Sequence, residues 1–353
     1  MSEARASLRW LDDLTASDSG LVGGKVAHLA GLRAAGFAIP DGFAITAHAY
    51  RETVRASDAG RDLRRLMQLA TERPDQAPAA ARECADIVRN CAMPAHVQEL
   101  IHDAYSQLSL RRRDPLPLVA VRSSALREDA SDASSAGQYD SFLGISGGPA
   151  VVEAVQRCWA SLFTERAVVY RAAHGIDIEA SPMAVAVIEL VDARASGVAF
   201  SVHPVTGDSE RLVVESTFGW GEALVQGRVN PDHFELNRDD LRVLQRKVGT
   251  KQWVSTWSAT RGEITEIPMP VVLISEPSLD DVELQSICRV LLQVEELLGH
   301  HIDLEWVWPR SGVGPVVVQA RAETVHSNFS PREAEQFDPM TNALRHAFDR
   351  GGA

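Results

Sequence analysis

The chain has 353 residues, of which 45% are hydrophobic, so it is long enough to bury one large core or two smaller ones. Its formal net charge of −13 argues against a broad basic surface for nucleic acid, although a few cationic side chains or a metal ion can still create a local anion site. Because we find neither an apolar leader nor a run of about 18 apolar residues, we expect no signal peptide and no membrane span. Four cysteines without a CxxC pair or a metal-ligand spacing are typical of reduced thiols in a cytoplasmic protein.

The first motif in chain order is the sequence Gly23-Gly24-Lys25, which comes directly before a helical pattern. The amino end of a helix offers free N–H groups and the positive end of the helix dipole, and Lys25 adds a full charge. An anion site is therefore one interpretation of this turn, but the motif by itself favours the other. The motif is far shorter than a P-loop, so a glycine-capped surface helix with a solvated lysine remains the alternative.

A buried strand is predicted at residues 116–124, after surface helices between about residues 57 and 115. We expect this strand to end at Arg122, where a buried cation is costly unless it meets an anion. The small residues around Gly137 and Gln138 allow backbone amides to approach phosphate oxygens closely. An arginine paired with a nearby carboxylate over an ordinary serine-rich loop explains the same local chemistry.

The middle of the chain changes from helical to β-rich. Residues 150–175 have helical periodicity, whereas short branched runs after Pro182 predict a meander or hairpins. In the glycine-rich segment that follows, Glu222 could face a ribose or a metal, although a turn leading into a helix explains the local sequence better. Residues 279–300 predict an amphipathic helix. Helices first and mixed sheet later predict an α+β chain of two lobes.

A predicted hairpin near the carboxyl end carries four polar side chains. Asp303 and Glu305 are two residues apart, as are Gln319 and Arg321, so each pair faces one side of its strand. A register that pairs Glu305 with Gln319 also sets Asp303 beside Arg321. Two carboxylates and an amide oxygen suit Mg²⁺ on a triphosphate, although cross-strand polar pairs on an exposed face are the alternative. The apolar residues expected on the other face are Ile302, Leu304, Trp306, Val318 and Ala320.

Taken together, five ordered segments between about residues 21 and 323 resemble the ATP-binding domain of the phosphoenolpyruvate synthase and pyruvate phosphate dikinase family. They are GGKVAHLAGLRAAGFAIPDGFAIT, VRSSALREDASDASSAGQYDSFL, SGVAFSVHPVTG, GWGEALVQGRVNPDHF, and IDLEWVW with VVVQAR. The order of all five makes the resemblance specific, unlike any one of them. It implies an α+β fold of the ATP-grasp type that holds nucleotide between two lobes, residues 1–180 and 181–326. Residues 327–353 are a polar tail that could dock a partner.

The resemblance also implies roles for individual residues. The nucleotide-binding set comprises Lys25, Arg122, Gly137, Gln138, Glu189, Leu190, Val191, Glu222, Asp303 and Arg321. The Mg²⁺-binding set comprises Asp303, Glu305 and Gln319. In this scheme Lys25, Arg122 and Arg321 neutralise phosphate charge during the reaction, and the strand from Met183 to Val191 lies against adenine.

Full-length family members continue into a swivelling domain with a phosphorylatable histidine and a barrel that binds the acceptor, whereas this sequence stops soon after Arg321. The resemblance therefore implies the first half-reaction, in which Mg-ATP phosphorylates a histidine on a partner subunit and leaves AMP and inorganic phosphate. Split synthases that phosphorylate phenol or methylphenol have this arrangement, so phenol or cresol is the expected acceptor. The alternatives are a self-sufficient ATP-grasp ligase or kinase that releases ADP, a nucleotide-binding module without catalysis, and a fragment of a complete phosphoenolpyruvate synthase.

Overall fold

We analysed the fold in a computed structural model, which describes residues 6–57, 59–126, 139–174, 182–221, 229–258, 260–312 and 314–323, with residues 170–174 described by their backbone only. Within these ranges the chain forms two compact units. Unit 1 comprises Met1–Ala34 and Asp41–Leu190, and unit 2 comprises Ala35–Pro40 and Val191–Ala353. The short segment Ala35–Pro40 belongs with unit 2 because the N–H of Val317 donates to the carbonyl of Ala38 at 2.9 Å.

Helices and strands alternate irregularly in the described residues of unit 1. Its helices are α1 Ser19–Ala34, α2 Ala47–Ala56, α3 Ala59–Glu72, α4 Ala77–Asn90, α5 Ala95–Arg112, α6 Gly148–Ala160 and α7 Glu165–His174. Its strands are β1 Leu8–Trp10, β2 Gly42–Ile45, β3 Val119–Ala125, β4 Ser141–Ile145 and β5 Met183–Glu189. These strands form one antiparallel sheet, the unit 1 sheet, in the order β1-β2-β5-β3-β4.

Both faces of the unit 1 sheet are buried, because alternate residues along its strands belong to two separate clusters. Phe43 and Val121 pack with apolar residues of α3, α4, α5 and α6 on one face. Ala44 and Ala120 pack with apolar residues of α1 on the other, where the small side chains let the helix approach closely. The face that α1 covers is therefore also the face on which the Gly-Gly-Lys turn lies.

The predictions for unit 1 are confirmed except at two places. Helices occupy most of residues 57–115 as expected, with a break at Pro74–Gln76. The helix expected at residues 150–175 is interrupted by a 3-10 turn at Ser161–Phe163, which separates α6 from α7. The strand expected at residues 116–124 is β3, and it continues to Ala125, so Arg122 lies in the interior of a strand and not at its end.

In the described residues of unit 2, one antiparallel sheet packs against one long helix. Its strands are β6 Ala193–Phe200, β7 Arg211–Phe218, β8 Asp232–Asn237, β9 Val243–Lys247, β12 Ile302–Pro309 and β13 Val316–Ala322. They form the unit 2 sheet, in the order β13-β12-β6-β7-β8-β9. The helix is α8, Asp281–Leu298, and it contacts β12, β6 and β7. A separate antiparallel ribbon consists of β10 Trp253–Ser258 and β11 Glu263–Pro268.

The helix α8 occupies residues 281–298 of the predicted 279–300, and local chemistry fixes both of its ends. Asp280 caps the amino end and forms a capping box with Glu283, and Gly299 closes the carboxyl end in the left-handed conformation. Its buried residues, among them Ile287 and Leu291, cover one face of the unit 2 sheet. The other face of this sheet carries Asp303 and Glu305 of β12.

The turn before α8 is held by a fully buried ion pair, which the sequence did not predict. Lys251 donates to the carboxylate of Asp232 at 2.5 Å, and both side chains are 0% exposed. The same carboxylate accepts hydrogen bonds from the backbone N–H groups of Gly249 and Ser278. A buried charge is tolerated here because each carboxylate oxygen has donors. Among the described residues, no helix is both long and apolar enough to cross a membrane.

Candidate functional site

The four polar residues of β12 and β13 pair as the sequence predicts. Glu305 lies opposite Gln319, and Asp303 lies opposite Arg321. Because directly opposed residues of neighbouring strands point to the same face, all four side chains lie on one face of the unit 2 sheet.

One detail of the hairpin differs from the prediction. The register shifts between Glu305 and Trp306, so that Trp306 lies opposite Val317. A β-bulge of this kind leaves Val318 as the extra residue of β13. Val317 is consequently buried at 0% exposure, whereas Val318, which we expected among the apolar residues, is partly exposed.

Asp303 and Arg321 form a buried ion pair within this group. The Nε of Arg321 donates to Oδ2 of Asp303 at 2.6 Å, and Asp303 is 8% exposed. Burial raises the pKa of Asp303 to about 7, and the charge of Arg321 opposes this rise. Burial also disfavours the charge on Arg321, but the carboxylates of Asp303 and Glu305 hold its pKa above the ordinary value. The pair therefore keeps a permanent guanidinium charge next to Glu305.

A second group of titratable residues continues across the same face, and the sequence analysis missed it. Glu305 lies opposite Val198 on β6, which lies opposite Glu215 on β7, which in turn lies opposite His233 on β8. The ring of His233 places Nδ1 3.2 Å from Oε1 of Glu215 and Nε2 3.6 Å from Oε1 of Glu235. His233 and Glu235 are two residues apart on one strand, and this spacing is the signal that could have revealed them.

The electrostatics of this second group favour a charged imidazole. Burial disfavours the imidazolium form of His233, but hydrogen bonding and the charges of Glu215 and Glu235 hold its pKa above the ordinary value. Burial likewise opposes ionisation of Glu235, yet Arg211 and the nearby histidines hold the pKa of Glu235 below its ordinary value. The face thus combines carboxylates and cations in alternation.

In unit 1, the expected phosphate-binding residues lie on the face of the sheet that α1 covers. Gly23 interrupts α1 with a φ of 77°, so Lys25 sits on the first turn after the break. A Cβ at Gly23 would lie 2.3 Å from the hydroxyl of Ser124, so only glycine fits. Arg122 is two residues before Ser124 on β3 and shares its face, because strand side chains alternate. Lys25 and Arg122 thus lie on the same side of the unit 1 sheet.

The segment expected to face adenine leaves β5 and leads to β6. The carboxylate of Glu189 pairs with Arg112 at 2.6 Å, and burial raises the pKa of Glu189 although Arg112 opposes the rise. The N–H of Leu190 donates to the carbonyl of Leu118 at 2.8 Å. The side chain of Glu189 is thus engaged within unit 1, so any contact of this segment with a base falls to its backbone.

A magnesium ion fits the oxygen donors of β12 and β13. Among the described residues there is no group of three or more histidine, cysteine, aspartate and glutamate side chains arranged to hold a metal. Two carboxylates and one amide oxygen are instead suited to Mg²⁺, which usually keeps water and phosphate oxygens among its ligands. Gly137, Gln138 and Glu222 lie outside the described residues.

Residues 19–341 match the family model described as pyruvate phosphate dikinase, AMP/ATP-binding domain. The chain belongs to this family. The match includes both units and the segments that hold Gly137, Gln138 and Glu222.

Three relatives illustrate the range of this dikinase-type family. A probable phosphoenolpyruvate synthase of Staphylothermus marinus is 36% identical over an alignment that covers 92% of this chain and 42% of the relative. The phosphoenolpyruvate synthase of Aeropyrum pernix is 34% identical over an alignment that covers 96% of this chain and 45% of the relative. The rifampicin phosphotransferase of Streptomyces sviceus is 37% identical over 303 residues, which are 84% of this chain and 33% of the relative. The chain therefore spans less than half the length of these relatives.

Proposed function

We propose that this chain is the ATP-binding part of a dikinase-like phosphotransferase with a two-lobed ATP-grasp fold. The observation that carries the proposal is the register of β12 and β13, which sets Asp303, Glu305, Gln319 and Arg321 on one face. A face of two carboxylates, an amide and an arginine suits a metal-bound polyphosphate. The family to which the chain belongs is described as AMP- and ATP-binding, which supports the same ligand.

Phosphoryl transfer requires mainly positioning and charge neutralisation from the protein. Lys25 and Arg122 of unit 1 bind phosphate oxygens, and the helix that restarts after the break at Gly23 adds the positive end of its dipole. Arg321 is oriented by Asp303 and supplies a third cation. Asp303, Glu305 and Gln319 would hold Mg²⁺, which when bound neutralises charge on the phosphate oxygens.

The acceptor of the phosphoryl group is a histidine outside this sequence. In the proposed reaction, ATP, water and this histidine give AMP, inorganic phosphate and phosphohistidine, which then phosphorylates a small acceptor. Relatives that extend to more than twice the matched length support a division of the reaction between this region and a further domain or partner subunit. We propose a phenol or cresol as the final acceptor, with a split enzyme of the phenylphosphate synthase type as the model.

A second candidate acceptor is a drug hydroxyl. The observation that favours it is the 37% identity to a rifampicin phosphotransferase. A self-sufficient ligase or kinase that uses the same residues would release ADP, so the nucleotide product separates it from both dikinase-like candidates.

Two measurements test the proposal: the identity of the nucleotide product, and the effect of replacing Arg122. The segment of the Staphylothermus marinus relative that lies outside the matched region serves as the added acceptor, and we expect AMP, inorganic phosphate and acid-labile phosphate on that segment. Arg122→Ala should lower the rate of AMP formation by about 10²–10³-fold and weaken Mg-ATP binding by about tenfold or more.

The matched control is Arg82→Ala, which removes an exposed arginine of α4 in the same unit. Both ATP affinity and the rate should stay within about twofold of the unmodified chain, since surface substitutions have small effects. Release of ADP, or an Arg122→Ala variant that binds and turns over ATP normally, would overturn the proposed function.

A further inference from the structure

The segment between β5 and β6 is held by hydrogen bonds at several successive residues. Before it leaves unit 1, the N–H of Glu189 donates to the carbonyl of Asp41 at 2.8 Å. After it enters unit 2, the carbonyl of Asp192 accepts from the N–H of Arg310 at 3.0 Å. Val191 lies between these anchors and belongs to neither β5 nor β6, so its N–H is not committed to a ladder.

A tryptophan of unit 2 holds the carbonyl of Val191. The indole N–H of Trp220 donates to this carbonyl at 2.7 Å, and Trp220 is 8% exposed. A hydrogen bond of this length in a buried setting fixes the ψ angle at Val191. The indole thus orients the peptide group between Val191 and Asp192, and the bond from the N–H of Leu190 to the carbonyl of Leu118 holds the segment on the other side, so the backbone of Val191 is restrained from both sides.

The backbone just before Trp220 is itself fixed. Gly219 has a φ of 72°, and a Cβ there would lie 2.5 Å from the carbonyl oxygen of Ser255, so no other residue fits. Its N–H donates to the carbonyl of Arg194 at 2.9 Å, and its carbonyl accepts from the hydroxyl of Ser196 at 2.7 Å. Arg194 and Ser196 lie on β6, only a few residues after Val191, so Trp220 and Val191 are positioned from the same strand.

We infer that Trp220 is a positioning residue for the purine base, and this inference rests on the proposed binding of ATP. By holding the carbonyl of Val191, Trp220 aims the backbone of this segment at the base. The N–H of Val191 suits N1 of adenine, which is a hydrogen-bond acceptor. Guanine presents a donor at N1 and an acceptor at O6, the reverse of the pattern that adenine presents. A fixed backbone donor therefore favours adenine, because guanine would leave polar groups unpaired.

The inference predicts that removing the indole N–H of Trp220 weakens the binding of ligands that have a purine base and of no others. Trp220→Phe keeps the aromatic ring and removes the N–H, so ATP and AMP should both bind about five- to tenfold more weakly. Inorganic triphosphate should bind as tightly as before, because it has no base and the proposed phosphate-binding residues do not include Trp220. The ratio of the dissociation constant for GTP to that for ATP should fall by a similar factor. Calorimetric titration of the full chain with each of these four ligands measures the effect.

The control is Trp253→Phe, an exposed tryptophan of the ribbon in the same unit, which should change none of the four affinities more than about twofold. If Trp220→Phe binds ATP and AMP as the unmodified chain does, the inference is wrong while ATP binding itself stands. If the variant loses triphosphate affinity by the same factor, Trp220 supports the fold generally and the inference is equally wrong. An unmodified chain that binds neither ATP nor AMP would overturn the proposed function instead.

Discussion

His233 is held between two carboxylates on the face of the unit 2 sheet that also carries Glu305. Glu215 lies opposite it on β7, Glu235 follows it on β8, and Lys247 lies opposite it on β9. His203 and Arg211 also approach Glu235, at 3.9 Å and 2.6 Å. Both cationic and anionic side chains thus surround the imidazole of His233. Protonation of this ring therefore changes the net charge of this part of the face.

We predict that His233 stabilises the fold only while it is protonated. Its folded pKa is raised above the ordinary value near 6.5, so its contribution is fully present below that value and is lost as the pH rises through the folded pKa. At pH 6, His233→Gln should lower the free energy of unfolding by about 1–2 kcal/mol, because the charged hydrogen bond to Glu215 and the ion pair with Glu235 are lost. Urea unfolding at several pH values should show this deficit shrinking as the pH rises, and a deficit independent of pH would contradict the prediction.

The residues of the candidate site could be predicted where their spacing and their chemistry coincide. Asp303, Glu305, Gln319 and Arg321 are polar at every second position of two apolar runs, which only a shared strand face explains economically. His233 shares this spacing with Glu235, but Glu215 has no titratable residue two positions away, and only the order of the strands brings it beside His233. Strand order is a tertiary property, so local periodicity cannot show it.

Arg122 illustrates a different limit. We expected β3 to end there because two serines follow, and serine usually indicates a loop. In the structure Ser123 and Ser124 continue the ladder with β5, and the hydroxyl of Ser124 accepts a hydrogen bond from the N–H of Val26. A long-range partner therefore overrides the local preference of these residues.

At the scale of elements, the approach of β6 to β7 depends on Gly197. A Cβ at this position would lie 1.9 Å from the carbonyl oxygen of Glu215, and backbone cannot move aside as a flexible side chain can. These strands carry Val198 and Glu215, which link Glu305 to His233 across the sheet. The glycine thus allows the spacing on which the whole face depends.

Gly197→Ala should therefore lower the free energy of unfolding by about 3 kcal/mol, at the upper end of the usual effect of overpacking. The control is Gly20→Ala in α1, where a Cβ would meet nothing within 4 Å. That variant should be neutral or slightly more stable, because alanine has the higher helix propensity. Thermal unfolding of both variants measures the difference, and equal effects would show that the close contact is not what limits Gly197.

Helix ends were predictable where residue chemistry specifies them and not elsewhere. Asp280 and Glu283 form the box that begins α8, and Gly299 ends it, so the predicted helix is wrong by only two residues at each end. The break between α6 and α7 has no such signal. There the hydroxyl of Ser161 donates to the carbonyl of Cys158 and accepts from the N–H of Asp140, a residue distant in sequence. Apolar periodicity runs through this break unchanged.

At the scale of the whole molecule, the covalent path is more complex than a division into an amino-terminal and a carboxyl-terminal lobe. The chain enters unit 2 for Ala35–Pro40, returns to unit 1, and leaves it again after Leu190. We expected lobes at residues 1–180 and 181–326, because composition changes near Pro182. The strand β5 is β-rich like the sequence that follows it, yet it lies at the centre of the unit 1 sheet, between β2 and β3. Amino-acid composition indicates whether a segment forms a strand or a helix, but it does not indicate which sheet a strand joins.

The proposed division of labour predicts how the whole chain behaves without an added acceptor. It should bind Mg-ATP but form AMP about 100-fold or more slowly than when the segment of the Staphylothermus marinus relative outside the matched region is present. The reason is that a positioned imidazole reacts at a high effective concentration and is a stronger nucleophile than water. Chromatographic separation of ATP, ADP and AMP over time measures both rates.

Glu305→Gln, which weakens the proposed metal site, shows how much AMP comes from contaminating enzymes. Rapid AMP formation by the chain alone, absent in Glu305→Gln, would mean that the acceptor is water or a residue of this chain, and the requirement for a separate histidine would be wrong.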